Sequence, residues 1–578
     1  MGEAWPSCER EDCRGVRVLD FDHCLEHLEP GRQDEYFRGL SLGAEVDLRG
    51  TTLSGELVTR LVDAVGSIDG RRAEFGRADF AETRFPGLVV FEDVTFFDAD
   101  FTDAVFEGSV SFDKAGFRDS ASFLRSRFED RTTFEDVVFD DATFEGAYFA
   151  GETGFDRAIF KEGTFTRARF AGAVCFDGAV FKRPADFIRG SFDGRASFCR
   201  TKFESAALFS SDQGFADEVR FDGAEFGDEA EFNLLRFDDR ASFLGAKFAG
   251  DAMFDAATFG DDACFVDACF EGHAMFEDVR FRSDARFRGA VFVAADRFGP
   301  VSAERLDFGR ATFRSRMTLF AGSPEMDCSE TKFEEGVTLR LVRHSNLGLE
   351  RSVFGKASTV SGAASVTSVE GADVADLVFT DADLANCRFA GAHHLDKLRL
   401  EGACTFGSYR NRQVLAEEHV WRSDRSAPVG PRRIADLYRQ LRKAQEDSKN
   451  EPGAADFYYG EMEMRRHSPA TPWSERFILY LYWLISGYGL RALRALATLA
   501  VLIAVVSTSI WLGGFKTTPA FGDTLIYVAQ STVSLDTKLA TLPKELTPLG
   551  EVLRLVMRVL GPLLLGLTLL AVRNRVKR

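Results

Sequence analysis

The chain has 578 residues, 45% of them hydrophobic and 57 of them phenylalanine, and its 90 acidic against 71 basic side chains leave a formal net charge of −19. That length allows several domains and a large core, while the acidic balance argues against nucleic acid binding and for solubility, repulsion or a basic partner. Ten cysteines are few for the length, and the opening MGEAWPSCERED has no apolar core of signal-peptide type, so the bulk of the chain is expected in a reducing cytosol.

Residues 1–40 are rich in charge and poor in core residues. Within them Cys8, Cys13, Cys24 and His27 follow the spacing C-x4-C-x10-C-x2-H. Three thiolates and an imidazole complete a closed tetrahedral zinc site, and a Cys-x2-His turn sets two ligands on one ion, so one structural zinc is expected here. A segment this small otherwise has little to fold around. Residues 41–74 follow as a cap: a starting coil over Val46–Leu53, then a short helix from Ser54 to about Val65 that covers the open end of what comes next.

From Phe221 a phenylalanine recurs at steps of five and six in strict alternation: Phe221, Phe226, Phe232, Phe237, Phe243, Phe248, Phe254, Phe259, Phe265, Phe270, Phe276, Phe281, Phe287 and Phe292. Two positions before most of them stands an alanine, as at Ala230, Ala241, Ala252, Ala263 and Ala274. On a helix these steps turn the side chain by about 140° and 240°, which scatters the rings around the axis. On a strand, positions i−2 and i share one side, so each unit sends a small and a large residue inward. Five or six residues then hold one short strand and one corner. A period of this kind marks a solenoid, in which each unit buries its face only against its neighbours.

The A-x-F-x-x units, with the more regular GADVADLVFTDADLANCRFAGAHHLD around Ala382-Asp383-Leu384, resemble the pentapeptide-repeat proteins, whose pattern is A-(D/N)-L-x-x. The resemblance implies a mainly β fold, a right-handed quadrilateral parallel β-helix with four short faces per coil, the central aromatic stacked inside and Ala filling the corner. The 5+6 alternation and the preference for Phe over Leu depart from that pattern and imply a coil of 22 residues. Repeats run from Phe75 to Phe406 within residues 75–410, with a degenerate stretch near Val301–Glu370. Some fifteen coils at about 4.8 Å each make a rod on the order of 70 Å long.

Within the rod, Cys264 and Cys269 are expected to face outward, and Cys387 takes the place of a corner alanine as a small buried hydrophobe. No Ser/His/Asp, Cys/His or paired-carboxylate arrangement and no phosphate-cradling glycine loop stands out, so the reading is non-enzymatic.

Residues 411–470 read as a helical linker. PRRIADLYRQLRKAQEDSKN places Ile434, Leu437, Tyr438 and Leu441 on one helical face, a turn follows at Asn450–Gly453, and a second helix carries Phe457, Tyr458 and Met462. Residues 471–490 are too short to span and crowded with Trp473, Tyr480, Tyr482 and Trp483, which suits a helix lying in the membrane interface. Residues 491–578 form a hairpin of two spans, Ala495–Phe515 and Leu553–Val572, with Arg554 and Arg558 able to snorkel. Arg491 and Arg494 before the first span, and Arg573, Arg575, Lys577 and Arg578 after the second, put both termini and the β-helix on the cytoplasmic side of the cell membrane.

The two spans and the apolar piece GDTLIYVAQSTVSLDTK between them resemble the two-transmembrane pore module of the potassium-channel family, known after pentapeptide repeats in some bacterial proteins. The resemblance puts Thr532, Val533, Ser534, Leu535 and Asp536 where that family has its T-V-G-Y-G-D filter. Both filter glycines are absent, and only Gly readily takes the backbone conformations that align those carbonyls. The favoured reading is a membrane-tethered scaffold whose acidic rod meets an unidentified protein partner. The alternative is a pore whose subunits meet through the hairpin with the rod as its regulatory domain. A third, from the pentapeptide-repeat family, is a DNA mimic that binds gyrase.

Overall fold

The computed structural model describes residues 5–66, 72–211, 213–517, 519–533 and 545–576. The strands stack into a β-solenoid of about 16 turns with parallel sheets, followed by helices that include two long apolar ones. Two compact units divide the chain: Met1–Thr367 with Thr380–Ala382, and Ser368–Phe379 with Asp383–Arg578.

In the first unit, α1 (Pro30–Gly39), which the sequence did not announce, precedes a first strand at Ala44–Asp47 and α2 (Gly55–Val65). The Ser54 hydroxyl caps α2 by accepting the Leu57 N–H at 3.3 Å, and Val58, Leu61 and Val65 are buried. Gly55 comes so close to the next coil that a Cβ would stand 2.2 Å from the Leu88 carbonyl oxygen. The expected starting coil is present: Val46 pairs with Ala78 and Thr52 bridges to Arg84.

The solenoid core is the phenylalanine ladder. Phe226, Phe248, Phe270 and Phe292 stand opposite one another in successive coils, a step of 22 residues, and Ala230, Ala252 and Ala274 do the same on the next strand. All fourteen phenylalanines from Phe221 to Phe292 are buried. Phe254 lies flat against Phe232 and Phe276 at 4.8 and 4.9 Å between ring centres, and edge-on to Phe243 and Phe265 at 5.4 Å. Each such pair adds about 0.5–1.5 kcal/mol beyond the apolar area it hides.

Two kinds of corner explain the alternation of steps. A five-residue step is a turn closed, in six of the seven between Phe221 and Phe292, by an N–H donated to the carbonyl three residues back, as from Ala257 to Phe254 at 2.9 Å. Its third residue is left-handed: Gly223, Leu234, Gly245, Ala256, Asp267, Asp278 and Gly289 all have φ between 55° and 71°. That is the signature of a type II turn. The six-residue steps, such as Phe259 to Phe265, pass the corner with one more residue and no left-handed one. The side chain after the ladder phenylalanine ties coils together: Asn233 accepts the Asp255 N–H at 2.9 Å, and Asp255 accepts the Glu277 N–H at 2.8 Å.

Over residues 301–367 the ladder keeps one stack of rings, Phe313, Phe333 and Phe354, loses most of the others and keeps its frame. Strands lengthen, to twelve residues at Val337–Gly348, and aliphatic pairs such as Leu306 with Met326 and Leu319 with Leu339 fill the inside. Cys328 and Leu349 occupy ladder positions, buried, and the left-handed corners continue at Arg310, Glu330 and Arg351. The step shortens to 20 residues between Thr312 and Lys332.

The second unit begins with the last coils, in which Asp373 bridges to His393 and Asp383 to Thr405. As expected, Cys387 is fully buried. A two-stranded hairpin, Gly407–Tyr409 with Arg412–Val414, leads into α3 (Ala416–Ser423), α4 (Pro431–Asp447) and α5 (Glu451–His467). Ile434, Leu437, Tyr438 and Leu441 of α4 are buried on one face, as the periodicity requires, and the Tyr438 ring lies where any side chain at Gly460 would stand. Asn450 caps α5 by accepting the Gly453 N–H at 3.1 Å. Then come α6 (Trp473–Ser486), α7 (Ala492–Gly513), α8 (Phe521–Val533) and α9 (Pro548–Val576). The first apolar helix begins three residues before the expected Ala495, and the second extends past both expected ends.

Candidate functional site

The N-terminal cysteines and histidine meet at one point. Cys8 donates its N–H to the Gly15 carbonyl at 2.7 Å, and Ser7 bridges to Val16, so a small hairpin carries Cys8 and Cys13. A single 3-10 turn, Leu25–His27, follows Cys24, and side chains three apart eclipse on such a turn. Cys24 Sγ lies 3.3 Å from His27 Nδ1, Cys8 Sγ 3.6 Å from the same nitrogen, and Cys13 Sγ 3.7 Å from Cys24 Sγ. All four ligand atoms fall within 4.8 Å of one another. The edges of a zinc tetrahedron with these ligands are about 3.75 Å between sulfurs and about 3.55 Å between sulfur and nitrogen. The residues therefore fit the ion.

The surroundings fit it too. A Cβ on Gly15 would stand 2.9 Å from Cys24 Cβ and 3.1 Å from its sulfur, so the backbone closes directly over the cluster. Burial pushes the Cys24 thiol up to about 12, with the neighbouring thiols adding to it, and raises Cys13 as well. Burial acts on Cys8 in the same sense, yet the N–H groups of Arg10 and Cys24 hold it below the ordinary thiol value. A cation at the centre is what would make three thiolates compatible with this packing. A second cluster, Asp156, Cys175 and Asp177, lies on the solenoid, where the Asp177 carboxylate is already engaged by the Ser197 hydroxyl at 2.5 Å and the Cys199 N–H at 2.9 Å. Cys264 and Cys269 sit at outward positions of adjacent strands, in register with Ser242 and Lys247, and are not brought into a cluster.

On the solenoid surface acids and bases interleave from coil to coil. Arg125 pairs with Asp103, Arg157 with Asp136 at 2.7 Å, Lys161 with Asp140 at 2.7 Å and Lys247 with Glu225 at 3.6 Å. Such exposed pairs contribute at most about 1 kcal/mol each.

The helical linker holds a buried polar network that the sequence did not reveal. Glu418 is fully buried and accepts from Arg412, from Arg422 Nε at 2.7 Å and from the Tyr438 hydroxyl at 2.5 Å. Glu417 turns the other way, and its carboxylate accepts the N–H groups of Phe389 and Ala390 at 2.5 and 2.8 Å. Those donors belong to the last coil and would otherwise face an absent next strand. Gly487-Tyr488-Gly489 is a left-handed run with φ of 55°, 58° and 74° that ends α6. It buries Tyr488, whose hydroxyl donates to Glu463 at 3.2 Å.

Two helices, α7 and the Pro548–Arg573 part of α9, are long and apolar enough to cross a membrane. They leave Leu493, Val501, Leu512, Leu555, Val559 and Leu569 exposed. A soluble core helix would bury these. Between them α8 packs on both, with Val506, Ile510, Phe515, Val528 and Met557 forming a small core. Gly561 lets the end of α8 approach α9, since a Cβ there would stand 2.8 Å from Thr532 Cα. Thr532 is buried in the last turn of α8 with its hydroxyl donating to the Val528 carbonyl at 2.9 Å, and Val533 is exposed at the helix end. Ser534, Leu535 and Asp536 lie outside the described residues.

Comparison with known proteins agrees on the repeats. Residues 101–147 match the family model described as Pentapeptide repeats (9 copies). That stretch holds nine phenylalanines, from Phe101 to Phe144, one for each copy. No curated protein and no solved structure matches the chain. The chain thus contains pentapeptide repeats built as a β-solenoid, joined to helices of which two are compatible with a membrane hairpin.

Proposed function

We propose that the protein is a non-enzymatic, membrane-anchored scaffold whose solenoid offers a long cytoplasmic surface to a protein partner. The observation that carries this reading is the division of the chain between a solenoid with a filled aromatic core and mixed-charge faces, and a helical module that leaves its apolar surface uncovered. Bases interleaved with the acids support a scaffold over a DNA mimic, which needs an unbroken acidic stripe. Cross-linking mass spectrometry on intact membranes tests it. Partner cross-links should fall on outward lysines such as Lys114, Lys161 and Lys247; cross-links confined to residues 431–576 would overturn it.

In this reading Cys8, Cys13, Cys24 and His27 hold one structural zinc that closes the N-terminal segment. Protein purified without chelator should carry about one zinc per chain and Cys24→Ser should carry none; an equal zinc content in the two would rule the site out.

A second reading, a channel-like pore assembled from several copies, is favoured by one observation: the short helix α8 folded back between α7 and α9. Lacking filter glycines at Ser534 and Leu535, reconstituted protein should pass no potassium-selective current. A firm preference for potassium over sodium in planar bilayers would promote the hairpin from anchor to pore. Orientation follows from the flanking arginines: a cysteine placed at Pro519 should be labelled from outside and one placed at Ser468 should not, in a cysteine-free background.

A further inference from the structure

A cavity of about 380 Å³ opens beside the start of α7, in the size range of small-ligand pockets. Asn411, Arg412, Asp456, Tyr459, Arg491 and Arg494 line its polar part. Arg412 is already paired with Glu418, so Arg491 and Arg494 are the cations the cavity adds, and its one carboxylate, Asp456, accepts the Gln413 N–H at 3.0 Å. The cations are held in place: Arg412 and Arg491 lie over the Tyr459 ring at 5.4 and 5.5 Å from its centre, and Arg494 over Trp483 at 5.1 Å. Cation–π contact orients a guanidinium without neutralising it.

Neighbouring arginines differ in one respect. Arg422, Arg439, Arg442, Arg465 and Arg466 each have a carboxylate partner. Among the described residues no carboxylate reaches Arg491 or Arg494. Arg491 also gives α7 no side-chain cap, so the first N–H groups of the helix, at Ala492 and Leu493 in the cavity wall, remain for an outside acceptor. Fixed guanidiniums with spare donors match the oxygens of a phosphate. The apolar side of the same cavity is Leu490 and Leu493, and Leu493 and Leu496 continue outward as exposed side chains along α7.

We propose that this cavity binds the phosphate-bearing headgroup of an anionic phospholipid, with the acyl chains lying along the exposed leucines of α7. The assignment rests on the membrane reading given above. Phosphate is the shared chemistry of a lipid and a soluble anion, and the apolar rim selects the lipid.

Native mass spectrometry of the full-length protein, released from nanodiscs of phosphatidylcholine with or without phosphatidylglycerol, tests the site. Wild type should retain phosphatidylglycerol over phosphatidylcholine, and R491Q/R494Q should lose that retention at least about tenfold while still entering neutral discs. R491K/R494K should keep part of it. R432Q/R433Q, with the same loss of charge on exposed α4 residues outside the cavity, should keep all of it. Equal retention in R491Q/R494Q and wild type would overturn the site. Displacement of the lipid by millimolar inorganic phosphate would overturn the lipid assignment in favour of a soluble anion. Failure of wild type to enter neutral discs would overturn the membrane anchor itself, and is read separately.

Discussion

Between Phe221 and Phe292 each coil repeats the one before it, whereas each end of the repeat is closed by side chains that occur once. In the ladder, Phe254 shares its burial with rings above, below and beside it, and the same contacts recur a coil later. At the N-terminal side α2 does the closing, with Val58, Leu61 and Val65 buried and Gly55 against Leu88; in the second unit it is Glu417 on the last coil and Glu418 behind it. Repetition makes the interior tolerant. Residues 301–367 show this, since the frame survives there with one stack of Phe kept and Leu, Met and Cys in most of the other ladder places. Single-copy ends have no such reserve.

The sharpest way to break the interior is a charge rather than a smaller side chain. Phe254→Asp removes the contacts of a buried ring and places a carboxylate where no donor exists, and should cost at least about 5 kcal/mol. Far-UV circular dichroism and limited proteolysis should report local loss of the coils around it. A mutant as resistant as wild type would mean that the ring is not buried. Phe254→Leu imitates the degenerate stretch and should cost far less.

At the C-terminal end Glu418→Ala leaves Arg412, itself buried, without its charge partner, and should cost about 3–5 kcal/mol of helical-module stability. Denaturant unfolding in detergent, followed at the linker tryptophan Trp421, measures it. An effect below about 1 kcal/mol would show that the network is hydrated rather than buried.

What could be read in advance divides along the same line. The ladder was legible because its spacing repeats, and the 22-residue coil followed from five plus six taken twice. The meeting of Cys8, Cys13, Cys24 and His27 was legible because Cys-x2-His has a geometric meaning within a single turn. Glu417, Glu418, Arg412 and Tyr488 were not, because each acts once, on a partner 6 to 28 residues away, with no period to betray it. The corners fall between these cases: the Ala and Phe positions announced them, yet nothing marked Leu234 or Ala256 as left-handed.

Those corners yield a smaller test of the interior. Gly245 has φ of 64° and open space around a would-be Cβ, so any penalty there is backbone strain alone. Gly245→Val should cost about 1–2 kcal/mol, and Gly245→Asp less, since Asp already occupies the same corner at Asp267 and Asp278. Equal stability of the two variants would show that the corner relaxes.

The smallest effect is a pH dependence confined to the end. Burial holds the His467 imidazole below its ordinary value of 6.5, with Arg466 and Arg422 acting in the same sense, while the Glu463 carbonyl at 2.8 Å and its carboxylate oppose them. Trp421 packs edge-on against the ring. The folded state therefore binds this proton less tightly than the unfolded chain does. Its contribution to stability is present in full above the unfolded value of about 6.5 and is lost as pH falls through the folded value below it. Glu463 shifts in the other window: burial raises it, Arg466, His467 and Arg422 more than offset that, and its contribution fades only below the ordinary glutamate range. Below about pH 6.5 His467 therefore lowers stability as pH falls, against Glu417, whose carboxyl is raised by burial and whose effect has the opposite sign. Hydrogen exchange in Glu451–His467, corrected for intrinsic rates, should show protection falling with pH across that window in wild type and a flatter profile in His467→Gln. The protection of Phe221–Phe292 should follow neither. A parallel change in both regions would mean that the ladder and its end unfold together, and that repetition protects neither more than the other.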